Sequence, residues 1–178
     1  MWAESAGTGR GSTFRFTIVV PPSDTAPGSR REFIGVQPAL AGRRVLVVDD
    51  NATNRRLLAL QTAMWGMVVR DAATPQQALD WLRSGEAFDL GILDMHMPEM
   101  DGLALARALR AAGQKMPLVL FSSLGRREVG DGAELFAAFL SKPLHQSQLF
   151  DTLASLLAQD AAPRPAPAAP AKPVLDAG

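Results

Sequence analysis

Two adjacent acids, a third acid and a lysine are the residues of this chain best suited to do chemistry. Asp49 and Asp50 follow the apolar run Val45–Val48, Asp94 follows Phe88–Leu93, and Lys142 with Pro143 follows a short run near Ala138–Leu140. Each group stands where a buried strand should end, so a parallel sheet would gather all of them at one edge. Carboxylates brought that close repel by about 4 kcal/mol per pair at roughly 4 Å and an effective dielectric near 20. Packing alone gives a fold no reason to carry that cost. A divalent cation and a neighbouring ammonium would offset it, and the same pair is a common way to handle a phosphoryl group. The pattern predicts a phosphoacceptor domain with Asp94 as its nucleophile.

The surrounding elements have to place these groups. Val45–Val48 reads as a strand covered on both faces. A helix is expected from about Asn51 to Met64, with Leu57, Leu60 and Met64 on one stripe, and Met67–Val69 as the second strand. Thr74, Pro75 and Gln77 spell a helix start: N-cap, first-turn proline and the third-position partner of a capping box. That helix should bury Ala78, Leu79 and Leu82 and stop at Gly85. Phe88–Leu93 is the third strand, Leu103–Ala112 the third helix and Leu118–Phe121 the fourth strand. The last strand lies near Ala138–Leu140, and the last helix carries Leu149, Phe150, Leu153, Leu156 and Leu157 at helical spacing. Five β-α units of this size imply an α/β fold with a doubly wound parallel sheet. Right-handed crossovers then put every strand's C-terminal end on one edge.

Bulk properties narrow the classes. The chain has 178 residues, 47% hydrophobic and 20% charged, with no net charge and no cysteine. Neutrality gives no footprint for nucleic acid or an anionic membrane surface. The lack of cysteine excludes disulfides, thiolate metal sites and cysteine nucleophiles. No apolar run approaches the roughly 20 residues that span a bilayer. The start lacks a basic, then apolar, secretory signal. A cytoplasmic location is expected, with no membrane contact by this stretch. Composition divides the chain into a hairpin over 1–20, a linker over 21–42, a domain over 43–158 and a Pro/Ala-rich tether over 159–178. In the hairpin's second arm Phe14, Phe16 and Ile18 alternate as in a half-buried strand.

Four ordered motifs carry a resemblance. Val45-Leu46-Val47-Val48-Asp49-Asp50-Asn51, Leu93-Asp94 through Asp101-Gly102, Ser122-Ser123 and Ser141-Lys142-Pro143-Leu144 are similar to the receiver domain of two-component signalling, across essentially all of 43–158. The resemblance implies a flavodoxin-like sheet of strand order 2-1-3-4-5. It implies that Asp94 takes a phosphoryl group from a kinase phosphohistidine as an acyl phosphate. Asp49, Asp50 and Asp94, with the His96 backbone carbonyl, would hold Mg²⁺. Lys142 would pair with Asp94 at rest and with a phosphoryl oxygen afterwards, aimed into the site by a Lys142–Pro143 peptide that is commonly cis in that family. Ser122 would offer its hydroxyl to the phosphoryl group, and Phe139 would turn inward when Ser122 moves. Pro98, Asp101 and Gly102 would shape the loop after Asp94. His96 is expected to tune phosphate lifetime rather than act as an acid or metal ligand through its ring, and His145 to cap the last helix.

One departure stands out. The stretch between Ser122 and Phe139 is slightly short, and Gly130 and Gly132 fall where a fourth helix should run. Glycine in a helix interior costs about 1 kcal/mol. A short or frayed helix is expected there, on the face receivers use for signalling, which favours passing phosphate onward over homodimerisation.

The opening Gly7-Thr8-Gly9-Arg10-Gly11 lacks P-loop spacing and no helix follows it. Ala3-Glu4-Ser5 through Thr17 instead resembles the closing hairpin of a histidine-kinase ATP-binding domain, over some 20 residues. The boxes of such a domain that bind adenine and Mg-ATP are absent, so no intact kinase is expected here; a receiver would catalyse only its own aspartyl phosphorylation and dephosphorylation. The order of parts suggests a hybrid sensor histidine kinase, whose remainder could be anchored in the inner membrane. A histidine phosphotransfer domain or second receiver would follow the tether. The competing reading is a receiver fold that regulates a kinase by contact alone. A dehalogenase-type hydrolase would want an acid at position 96, where His96 stands. An FMN binder would want a phosphate-cradling loop where Asp49-Asp50 repel one.

Overall fold

Three runs that are apolar at nearly every position become the buried centre of one sheet. In the computed structural model, which describes residues 2–5, 7–19 and 35–158, these are β3 (Arg44–Val48), β5 (Leu90–Asp94) and β6 (Leu118–Ser122). Edge strands β4 (Val68–Ala72) and β7 (Ala138–Ser141) complete a five-stranded parallel sheet of order β4-β3-β5-β6-β7. This is the 2-1-3-4-5 order expected. Helices α1 (Ala52–Met64), α2 (Pro75–Arg83), α3 (Gly102–Ala111) and α4 (Gln146–Ala158) cover both faces. Alternation along β3 divides its side chains: Leu46 and Val48 join Leu105, Leu109 and Phe136, while Val45 and Val47 join Leu58, Trp65, Leu149 and Leu153.

The start of α2 is built as the sequence indicates. The Thr74 hydroxyl accepts from the Gln77 N–H at 3.2 Å, and the Gln77 side chain accepts in return from the Ala73 N–H at 3.0 Å, one residue before the cap. Helix α1 differs from expectation. Leu57, Leu60 and Met64 are 42%, 61% and 41% exposed, and the face turned to the sheet carries Leu58, Thr62 and the C-cap Trp65. The polar Thr62 disguised that face. Its hydroxyl is satisfied by donating to the Leu58 carbonyl at 2.8 Å, so it can be buried. Trp65 meets Phe150 of α4 edge-on at 5.3 Å. The described end of the expected linker also joins the domain: Leu40 is fully buried, and Gln37 and Gly42 donate backbone hydrogen bonds to the Trp65 and Gly66 carbonyls.

The fourth helix is replaced by two 3-10 stretches, Gly125–Glu128 and Gly130–Leu135. Gly125 and Gly130 take φ of +62° and +50°, which a continuous right-handed helix excludes. Buried Gly132 lies where a β-carbon would run into the Leu103 side chain. Arg110 of α3 donates to the carbonyls of Gln114, Met116 and Leu135 at 2.9, 2.9 and 3.1 Å, pinning the end of the segment. The sequence-based expectation of a short or frayed helix matches this outcome.

The hairpin forms a separate unit, Met1–Arg31. β1 (Trp2–Ser5) pairs antiparallel with β2 (Ser12–Arg15), and strand structure ends there rather than continuing through Ile18. Phe14, Phe16 and Ile18 are 66–70% exposed instead of half-buried. Two strands alone supply no opposing layer for them. Residues 20–34 and the tether over 159–178 lie outside the described residues. No helix among the described residues is long and apolar enough to cross a membrane.

Removing the α2 cap should be felt without touching the site. Thr74→Ala is expected to lower unfolding free energy by about 1 kcal/mol in urea melts, with the slope unchanged.

Candidate functional site

Strand register brings the sequence-predicted groups to one rim. Val48 pairs with Leu93, so Asp49, the residue after β3, lies beside Asp94, the last residue of β5. Asp94 pairs with Phe121, and Ser122 with Ser141, so the next residue, Lys142, emerges at the same edge. One oxygen from each of Asp49, Asp50 and Asp94 lies within 4.8 Å of the others. Asp49 and Asp94 are buried and Asp50 is exposed.

The cluster is electrostatically unfinished. Asp49 Oδ1 accepts from the Asn51 N–H at 2.8 Å, but Oδ2 is buried with no hydrogen-bond partner. Burial pushes the Asp49 carboxyl above its ordinary range, and the Asp94 charge adds to that rise; the Asn51 N–H, the Asn54 side chain and Lys142 work the other way. Lys142 Nζ forms an ion pair with Asp94 Oδ1 and lies 5.0 Å from the centre of the Phe121 ring, an aromatic face that favours a cation. The Lys142–Pro143 peptide is cis. The donor set is all carboxylate oxygen, with one buried oxygen lacking a partner, and it fits a hard divalent cation.

The flanking parts are also in place. Buried Ser122 accepts at Oγ from the Gly125 N–H at 2.7 Å, leaving its own proton available to a guest at the rim. Phe139 is half-buried, its ring 5.9 Å from that of Phe136. Asp101 caps α3 by accepting from the Ala104 N–H at 2.6 Å. Gly102 lets α3 start against the backbone of Asp94: a β-carbon there would lie 3.1 Å from the Asp94 carbonyl carbon and closer still to its oxygen. Between them Glu99 takes φ of +68°, and the Met100 N–H bonds to the Pro98 carbonyl at 2.7 Å, a tight turn that few side-chain-bearing residues adopt. His96 is exposed at the rim, and the His145 carbonyl accepts from the Leu149 N–H at the start of α4. Sequence reasoning missed Phe121 beneath the lysine. It reads as an ordinary core aromatic, and only register reveals what lies over it.

The profile of the response regulator receiver domain matches residues 45–154, and the chain belongs to that family. It is 34% identical over 92 residues to probable histidine kinase 5 of Oryza sativa subsp. japonica, covering 52% of this chain and 8% of that protein. It is 36% identical over 113 residues to the sensor protein EvgS of Escherichia coli, covering 62% of this chain and 9% of that one. A response regulator receiver protein from Pseudomonas putida superposes with a TM-score of 0.59 at 30% identity, covering 65% of this chain and 98% of that one. The chain thus spans less than a tenth of the length of either kinase relative. Residues 45–154 form a receiver domain of two-component signalling.

The crowded acids should weaken the metal-free fold. Because the folded-state pKa of Asp49 is raised, the folded state binds the proton more tightly, and stability falls as pH rises from the unfolded value through the folded one. Asp49→Asn keeps an acceptor for the Asn51 N–H and should raise the thermal midpoint at pH 7 in chelator by about 3 °C. The gain should shrink toward pH 4 in calorimetric scans.

Proposed function

We propose that Asp94 is the phosphoacceptor and that Asp49, Asp50 and Asp94, with the His96 carbonyl, hold Mg²⁺ beside it. The observation that carries this reading is the Asp94–Lys142 ion pair inside a three-carboxylate cluster with an orphaned oxygen. An Asp94 oxygen forms the new P–O bond while the donor's P–N bond breaks, and the histidine nitrogen keeps the electron pair and takes up a proton. Bound magnesium would screen the meeting of anionic phosphate with carboxylate. Lys142 moves from the carboxylate to a phosphoryl oxygen, and Ser122 donates its hydroxyl proton to another. Phe139 then follows Ser122 inward. Purely regulatory contact, the competing reading, has no chemical use for this constellation and is not favoured.

The donor is inferred to be a phosphohistidine on a helical kinase domain. α1 begins at the acid loop and exposes Leu57, Leu60 and Met64 as an apolar stripe running away from it along the helix, the type of face that another helix covers. The kinase relatives and the likeness of residues 1–20 to a kinase's closing hairpin support a hybrid kinase as the parent. Its phosphate would pass to a histidine phosphotransfer domain or second receiver. The missing fourth helix supports onward relay over homodimerisation.

Acetyl phosphate with Mg²⁺ should add one phosphoryl group to the intact protein by mass spectrometry. Asp94→Asn or chelation should abolish the gain; an equal gain in Asp94→Asn would refute the assignment. Leu60→Glu should slow transfer from a phosphohistidine donor about tenfold, a loss of roughly 1.4 kcal/mol, and leave acetyl phosphate labelling unchanged.

A further inference from the structure

Arg55, on the first turn and a half of α1, belongs to none of the roles assigned so far, and its bonds converge on the acid loop. Its Nη1 donates to the backbone carbonyl of Asp49 at 2.7 Å and to that of Asp50 at 3.0 Å. Its Nε lies 3.6 Å from Asp71 Oδ2 on neighbouring β4. The Arg55 side chain is only 16% exposed, against 51% for Asp71. The ion pair, half-exposed on its Asp71 side, contributes little, whereas charge-assisted bonds to two successive carbonyls fix the peptides on either side of Asp50.

That placement has a consequence for the acids. A positive charge near three carboxylates would ordinarily compete with a metal for their oxygens. Arg55 engages main-chain carbonyls instead, so both side chains stay available, and the loop's direction is set before any cation arrives. Asp50 is the acid most in need of this. Asp49 is buried and its Oδ1 is held by the Asn51 N–H, while Asp50 is exposed on the loop. Holding the Asp50 carbonyl limits rotation of the peptide and so points its side chain toward Asp94.

We infer that Arg55 is a positioning residue for the divalent-cation site, pre-orienting the Asp49–Asp50 loop through its carbonyls. The inference rests on the magnesium reading above. Residues that orient ligands from behind typically change metal affinity by about 10–100-fold when removed. Arg55→Ala should therefore weaken Mg²⁺ binding at least tenfold by isothermal titration calorimetry. Acetyl phosphate labelling should need correspondingly more Mg²⁺ for its half-maximal rate, with the rate at saturating Mg²⁺ within about threefold of wild type. Arg55→Met, which keeps the apolar stem without its donors, should lose as much as Arg55→Ala. Asp71→Asn should bind Mg²⁺ within twofold of wild type. Circular dichroism checks that each variant is folded. Wild-type affinity in folded Arg55→Ala overturns the inference; if that variant does not fold, wild-type affinity in Arg55→Met does so. A loss in Asp71→Asn equal to that in the arginine variants assigns the effect to the ion pair and also overturns it. Failure of the wild type itself to bind Mg²⁺ would bring down the magnesium reading and this inference together, which separates the two failures.

Discussion

Parallel pairing of β3 with β5 places Asp49 beside Asp94, and the rest of the site follows from that enforced neighbourhood of like charges. Val48 and Leu93 are in register and fully buried, so neither strand can slide to separate the acids without exposing core on both faces of the sheet. The sheet's hydrophobic stability thus holds together a cluster that water would disperse. Lys142, delivered by the next-but-one strand, offsets part of the repulsion. What remains is a cluster of carboxylates whose charge a divalent cation would offset.

The rim is reinforced from below and beside. Phe121 supports the lysine, Asn51 and Arg55 hold the first acid loop, and the abutting start of α3 at Gly102 fixes the backbone of Asp94. Ser122 is different, because its acceptor bond comes from Gly125, at the start of the first 3-10 stretch. A shift of Ser122 would pull on the two 3-10 stretches, close to where the Phe136 and Phe139 rings meet.

Much of this was legible beforehand because it depends on chain direction and strand ends. Continuous apolar runs named the three central strands, and the acids and lysine at their ends named the rim. Gly130 and Gly132 announced the broken helix, since glycine is costly in a helix interior, and Gly130 does take a positive φ. The rest depended on tertiary context. The buried face of α1 was hidden because Thr62 looks polar until its hydroxyl is seen bonded to Leu58. The roles of Phe121 and Arg55 were invisible because a core aromatic and a helix arginine carry no mark of what they face. Leu40 read as linker because its neighbours are small and turn-forming, though it fills the core beside Trp65.

The most direct test asks which carboxylate carries the phosphoryl group. Borohydride reduction of the acetyl phosphate-labelled protein converts an aspartyl phosphate to homoserine, and peptide sequencing by mass spectrometry then locates it. The account requires homoserine at position 94 and unmodified aspartates at 49 and 50. Homoserine at either of those two, or at none of the three in labelled protein, would contradict it.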